Sequence, residues 1–235
     1  MAGKLLGRIA LITGASRGLG AAVARSFAAE GAHLVLVART VGGLEEVDDA
    51  VEAAGGTATL VPLDLKEFDQ IDRLGAALYE RYKKLDILVG NAGLLGVLSP
   101  MGHIDPPVWD EVMAVNVTAN WRLLRSMDPL LRQSDAGRAI FVTSGEGSGV
   151  HPYWGAYAAS KAALESMVRN YAGEMTKTKV RANLLDPGPV RTALRAQAFP
   201  GEDPMKLKTP DAVAPRFLEL ALPDCERTGE ILHAR

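Results

Sequence analysis

Tyr157 and Lys161 stand four residues apart in the run Tyr-Ala-Ala-Ser-Lys. On a helix that spacing puts both side chains on one face, phenol beside ammonium. A free tyrosine titrates at about 10, too high for proton exchange at neutral pH. Lowering it to roughly 7 requires about 4 kcal/mol of phenolate stabilisation, at about 1.36 kcal/mol per unit. A cation about 4 Å away, at an effective dielectric of about 20, supplies energy of that order. The pair is therefore a candidate general acid/base. Taken alone the spacing is weak, because such pairs also occur on ordinary half-buried helix faces.

A second candidate lies near the start of the chain, in Thr13-Gly-Ala-Ser-Arg-Gly-Leu-Gly20. Gly14, Gly18 and Gly20 let a backbone approach a ligand closely, and a helix beginning there would direct its N–H groups at a pyrophosphate. Ala15, Ser16, Arg17 and Leu19 fill the positions between the glycines. The spacing differs from the general G-x-G-x-x-G fingerprint. At the place where an NAD-selective site carries an acid to hold the ribose 2′-hydroxyl, the chain reads Val37-Ala38-Arg39. A carboxylate there would repel a 2′-phosphate, whereas Arg39 would pair with it and Arg17 could reach the same group. NADP(H) is therefore expected over NAD(H). The plain alternative is that Arg39 is a solvated loop residue.

These groups need a scaffold, and the pattern between them supplies one. Short apolar runs at residues 8–13, 33–38, 58–62, 86–89, 139–143 and 180–185 read as strands, with a last one at 230–233. Most lack alternation, which suits strands buried on both faces of a parallel sheet. Helical patterns fall between them at 21–30, 44–54, 68–82, 108–131 (expected as two helices) and 157–175. Thr209-Pro-Asp211 resembles an N-cap, a proline at N1 and an acid in the first turn, opening a helix through residue 222. Strands alternating with helices imply right-handed βαβ units. The expected fold class is α/β: a doubly wound, Rossmann-like parallel sheet of about seven strands with helices on both faces. Its ligand should sit beyond the carboxyl ends of the strands. Residues 1–235 are expected to form a single NAD(P)-binding catalytic domain, with a substrate lid at about 189–208.

Composition narrows the function classes. The chain has 235 residues, 48% of them hydrophobic, and a net charge of −2 with scattered basic residues, so nothing marks a nucleic-acid surface. No apolar run approaches a membrane span. Cys225 is the only cysteine, which excludes an intrachain disulfide and fits a reducing compartment. The opening apolar stretch is too short for a signal peptide core, so the cytoplasm is the expected location. No metal site is expected.

The motifs, in their order and approximate spacing, resemble the short-chain dehydrogenase/reductase family. They are the glycine turn, Asn91-Ala92-Gly93 after the fourth strand, Ser144 after the fifth, Tyr157-x-x-x-Lys161 and Pro187-Gly188. The likeness runs from about residue 6 to 233. It implies hydride transfer between a nicotinamide cofactor and a carbonyl or alcohol substrate. By the same resemblance, Ser144 bonds the substrate oxygen and Tyr157 exchanges its proton. Lys161 lowers the tyrosine pKa and holds ribose hydroxyls, and Asn116 fixes a helix bend. Asp64 and Leu65 would contact the adenine ring, and Val190 and Thr192 the carboxamide. Singly, Ser144 could be a strand-end cap, Asn116 a turn residue and Asp64 a helix N-terminal acid.

Leu94, Leu95, Val150, Tyr153, Trp154, Phe199 and Met205 are apolar candidates for a substrate pocket. Glu146 would favour a polar substrate if it pointed inward, but is expected to face solvent, and His151 to be a loop residue. Many family members carry a longer tail that builds a subunit contact, which puts a tetramer in question. Helices 117–131 and 157–175 carry apolar residues on more than one side, so a homodimer or homotetramer is expected. Two alternatives stay open: a non-catalytic NADP-binding sensor, and an epimerase or dehydratase using the same tyrosine.

Overall fold

The structure, a computed structural model, describes residues 3–234. Seven strands form one parallel sheet: β1 (Ile9–Thr13), β2 (His33–Ala38), β3 (Thr57–Pro62), β4 (Ile87–Gly90), β5 (Arg138–Val142), β6 (Arg181–Asp186) and β7 (Ile231–His233). Their order across the sheet is β3-β2-β1-β4-β5-β6-β7, and every pairing is parallel. The direction of winding reverses between β1 and β4, which opens a crevice at the carboxyl ends of those strands.

Apolar runs without alternation follow from burial on both faces. In β2, Leu34 and Leu36 join one core and Val35 and Val37 the other, because successive side chains point to opposite faces. The first core is closed by α1 (Gly18–Ala29), α2 (Val41–Ala53) and α8 (Pro210–Ala221). The second is closed by α3 (Phe68–Tyr82), α5 (Ala119–Gln133) and α6 (Gly155–Glu174). Thr209 caps α8 by accepting the Ala212 N–H at 3.2 Å.

Some boundaries differ from the sequence reading for local reasons. Helix α1 starts at Gly18 rather than Ala21, since the glycine turn itself enters the helix. The 108–131 stretch is α4 (Pro106–Met113) and α5, joined by a π-helical turn, Ala114–Thr118, with helical backbone at both junctions. The 189–208 segment contains a short helix, α7 (Ala193–Ala198), capped by the Thr192 hydroxyl. The second apolar face expected on α5 and α6 is largely used inside the chain. Leu123, Leu124, Met127, Leu164, Val168 and Tyr171 are buried against the sheet, while Trp121 stays 47% exposed.

At the amino-terminal edge of the sheet, Asp86 is fully buried and satisfied. It accepts from Ser134 Oγ at 2.6 Å, the Ile9 N–H at 2.9 Å, and the Arg8 and Lys84 cations at 3.1 Å each. The group ties β1 to β4 at the end remote from the crevice.

Candidate active site

The turn after β1 is built for close approach. Gly14 has φ +64° and Gly18 φ +55°, a region that favours glycine. A Cβ on Gly20 would stand 2.3 Å from the Gly14 carbonyl oxygen, so the helix can begin this tightly only without a side chain. Asn91 braces the turn from β4: its Nδ2 donates to the Thr13 carbonyl at 2.9 Å and the Gly14 carbonyl at 3.3 Å. Thr13 Oγ1 accepts the backbone N–H groups of Asn91 and Ala92. Arg17 occupies the N-cap of α1 and makes no side-chain capping bond, which leaves that helix terminus to a ligand. Ser16 is half-buried and Leu19 buried.

Arg17 and Arg39 are both exposed, and among the described residues neither side chain has an ion-pair partner. Asp64 accepts the Lys66 N–H at 3.0 Å within its own turn, and Leu65 is buried in the core. Gly188, at φ +64°, donates its N–H to Asp186, turning the chain after β6 so that Thr192 Cγ2 comes 3.6 Å from where a Gly18 Cβ would sit. Pro187 is half-buried and Val190 buried. Glycines without room for a side chain, an uncapped helix terminus and two unpaired guanidiniums together fit a phosphorylated dinucleotide.

The candidate acid/base pair lies at the carboxyl end of β5. Tyr157, Lys161 and Glu165 follow one another at four-residue intervals along the inner face of α6, and all three are buried. The Lys161 ammonium donates to the Val142 carbonyl at 2.8 Å and stands 5.5 Å from the Tyr157 ring centre. Thr143 Oγ1 donates to Glu165 at 2.6 Å. A Cβ on Gly93 would lie 3.6 Å from the Lys161 ammonium and 3.4 Å from Asn116 Oδ1, so the β4 loop connects the glycine turn to this group.

Asn116 sits in the π-helical turn, fully buried. It holds the strand-end loop from both sides, accepting the Leu94 N–H at 2.8 Å and donating to the Leu94 carbonyl at 2.8 Å. Its Nδ2 also donates to Ser160 Oγ at 2.9 Å. The extra residue of a π turn re-aims one side chain out of helical register, and here that side chain is Asn116.

Burial pushes the Tyr157 phenol up to about 12; the Ser144 hydroxyl opposes the shift, and the Glu146 and Asp186 carboxylates add to it. The depression expected from Lys161 is not what this geometry produces, because the ammonium is directed to the Val142 carbonyl and desolvation outweighs it. Lys161 itself is drawn down to about 8 by burial, with Glu165 acting against that. At neutral pH the phenol is thus protonated and the ammonium charged.

Glu146 was expected to face solvent. It turns inward instead, and Ser144 Oγ donates its proton to the Glu146 carboxylate. Gly145–Gly147 forms a 3-10 turn directly after Ser144, which brings the two side chains together. His151 bonds the Ser148 carbonyl at 2.8 Å within its own loop.

The 189–208 segment closes over this face. Trp154 stacks at 5.9 Å from Tyr157 and 5.7 Å from Phe199, and Leu95, Tyr157, Ala198, Trp154 and Leu194 form one cluster. Gln197 reaches across to the Gly96 carbonyl at 3.1 Å. The two ends of the segment are joined by a bridge between Val190 and Lys208, with the Arg191 N–H donating to the Lys208 carbonyl at 2.9 Å. Arg195 pairs with Glu202 and covers Phe199 at 3.8 Å. Of the other apolar candidates, Leu94 is half-buried beside Asn116, whereas Val150, Tyr153 and Met205 are exposed.

Glu165 and Thr143 were not singled out in the sequence. The four-residue interval that pairs Tyr157 with Lys161 continues to Glu165, and that signal was there to be followed. Among the described residues no group of three or more His, Cys, Asp or Glu side chains could hold a metal ion, and no helix is long and apolar enough to cross a membrane.

Comparison with known proteins adds an independent line. The family model described as short chain dehydrogenase matches residues 8–203. The uncharacterised oxidoreductase YciK of Escherichia coli K12 is 41% identical over 232 residues, covering 97% of this chain and 92% of that protein. A crystal structure of a short chain dehydrogenase from Escherichia coli CFT073 complexed with NADPH is 40% identical with a TM-score of 0.94, covering 100% of this chain and 99% of that one. A counterpart from Shigella flexneri 2a complexed with NADP is 39% identical with a TM-score of 0.95 at the same coverage.

Proposed function

The chain belongs to the short-chain dehydrogenase family, and from that premise we propose that it is an NADP(H)-dependent oxidoreductase acting on a carbonyl/secondary alcohol pair. The observation that carries this reading is the convergence of Ser144, Tyr157 and Lys161 on the carboxyl end of β5, with Gly93 linking them to the glycine turn.

NADPH, when bound, supplies the hydride. The residues that would hold it are the N–H groups opening α1 at Gly14–Gly20, Arg17 and Arg39 for the 2′-phosphate, and Asp64 and Leu65 for the adenine. Asn91–Gly93, Lys161, Pro187–Gly188, Val190 and Thr192 complete the cradle toward the nicotinamide. Binding of NADPH and NADP by the two relatives supports that choice over NAD(H).

The Tyr157 phenol, held protonated by burial, gives its proton to the substrate oxygen as that oxygen becomes an alkoxide. An alkoxide is a much stronger base than a phenolate, so a phenol at about 12 still transfers downhill. The Ser144 hydroxyl orients the same oxygen, and two donors polarise a carbonyl better than one. Lys161 places a positive charge beside the resulting phenolate. Asn116 keeps the Leu94 backbone, and with it the wall of the pocket, in register. Segment 189–208 acts as a lid that excludes water. The protein works in the cytoplasm as a single catalytic domain and assembles as a homodimer or homotetramer, with the exposed Trp121 of α5 at a subunit contact; sedimentation of Trp121→Glu as a monomer would test that.

The deciding experiment is Tyr157→Phe. With NADPH and a panel of ketones, 3-oxoacyl thioesters and sugars, the wild type consumes NADPH. The variant loses turnover by about 10²-fold or more yet still quenches or enhances NADPH fluorescence on binding. Unchanged turnover would refute the assignment.

A further inference from the structure

A hydroxyl has one proton to donate. In this structure the Ser144 proton is committed to Glu146, two residues further along the chain. Ser144 therefore cannot also donate to a substrate oxygen until something else satisfies that carboxylate. The turn carrying Glu146 is held against its surroundings. The Gly147 N–H donates to the Ser144 carbonyl at 2.9 Å, and a Cβ on Gly147 would meet Glu165 Oε1 at 2.8 Å and Lys161 Cβ at 3.1 Å. The turn is pressed directly onto α6, leaving Glu146 beside the acid/base pair.

We propose that Glu146 makes this site selective for carbonyl compounds bearing a hydroxyl on the carbon next to the reacting one: α-hydroxy ketones in reduction, vicinal diols in oxidation. The inference rests on the oxidoreductase reading above. Two oxygens on adjacent carbons lie about one hydrogen-bond length apart, as do Ser144 Oγ and the Glu146 carboxylate. The substrate pair can therefore face the protein pair edge to edge. The Ser144 hydroxyl, keeping its proton, turns its hydrogen bond to the carbonyl oxygen, and the neighbouring substrate hydroxyl donates to Glu146 in its place. No carboxylate is stranded in the exchange. A ketone without that hydroxyl leaves either Glu146 without its donor or its own oxygen with Tyr157 alone.

The chemistry balances with no new reagent. A hydride from NADPH adds to the carbonyl carbon, the π electrons pass to oxygen, and that oxygen takes the Tyr157 proton. The products are the diol and NADP⁺, and solvent restores the phenol. The neighbouring hydroxyl is unchanged.

The test compares 2-hydroxyacetophenone with 2-methoxyacetophenone, which differ in the donor, by NADPH consumption. The wild type should favour the hydroxy ketone in kcat/KM by about tenfold or more. Glu146→Ala, which frees the Ser144 hydroxyl for either ketone, should bring the ratio to about one, mainly by gain on the methoxy ketone, and Glu146→Gln, which keeps an acceptor, should restore part of it. As a binding measurement, calorimetry with NADPH present, which cannot oxidise an alcohol, should show 1-phenyl-1,2-ethanediol held more tightly than 1-phenylethanol by the wild type and equally by Glu146→Ala. Equal kcat/KM values for the two ketones in the wild type overturn the inference, as does a preference that survives Glu146→Ala. Failure of the wild type to reduce either ketone, or any in the wider panel, while it binds NADPH counts against the oxidoreductase reading itself.

Discussion

Thr143 Oγ1 donates a 2.6 Å hydrogen bond to the carboxylate of Glu165, and both residues are buried. Its neighbours in the chain are tied to the same helix. The Val142 carbonyl accepts from Lys161, one turn before Glu165, and the Ser144 hydroxyl lies against Tyr157, two turns before it. Three consecutive residues at the β5 end thus each meet a different turn of α6. Thr143→Val keeps the shape and removes the donor from a buried acid. The expected cost is about 1–3 kcal/mol, a fall in melting temperature of about 2–4 °C per kcal/mol, measured by scanning calorimetry. An unchanged melting temperature would show that Arg169, 3.7 Å from Glu165, satisfies the carboxylate unaided.

The buried ammonium of Lys161 makes stability and activity respond to pH in opposite directions. Its ordinary value is 10.5 and burial lowers it to about 8. Between those values the unfolded chain holds a proton that the folded chain has released, so folding stability rises with pH across that window. Below about 8 both states are charged and the desolvation penalty is fully present. Relative to Lys161→Met, the wild type should therefore gain stability from pH 8 to 10, by at most about 1.4 kcal/mol per unit, in urea unfolding. Over the same interval kcat/KM should fall as the charge beside Tyr157 disappears. A flat stability difference would mean that Lys161 keeps its proton throughout.

Arg17 and Arg39 stand exposed on either side of the glycine turn. Arg39→Asp replaces attraction for a 2′-phosphate by repulsion. The ratio of NADPH to NADH affinity should drop by about tenfold or more, read by nucleotide fluorescence titration. A variant that still prefers NADPH to the same degree assigns the selection elsewhere.

Asp86 offers a control remote from the chemistry. Asp86→Ala leaves Arg8 beside an empty acceptor and the Ile9 N–H and Ser134 hydroxyl without theirs. Removal of one member of a buried charged group costs about 3–5 kcal/mol, which a shift of the urea midpoint would record. Turnover per folded molecule should be unaltered, and a change there would indicate that β4 transmits strain to Asn91.

The strands were readable because a parallel sheet buried on both faces demands continuous apolar runs, and residues 33–38 are an example without ambiguity. The start of α1 was less so, since glycines argue for a turn while the backbone there is already helical. Asn116 was legible as a member of a motif, but the π-helical turn that aims it has no pattern of its own. The inward Glu146 was beyond sequence reasoning. Its direction depends on how tightly the 145–147 turn lies against Glu165, a contact between residues about twenty positions apart. Tyr157 was misjudged for a related reason: a cation four residues away suggests a lowered pKa, and only the packed structure reveals how much desolvation opposes it.

The strap from 191 to 208 has its two ends fastened to each other by the Val190–Lys208 bridge before it crosses the site. It is therefore an interchangeable cassette. The span between the fasteners can be replaced by one of different length with only a small entropic change, since closing a loop costs little more when it doubles. Swapping that span among relatives should diversify what enters, while the residues proposed for proton transfer, all contributed by other parts of the chain, stay where they are.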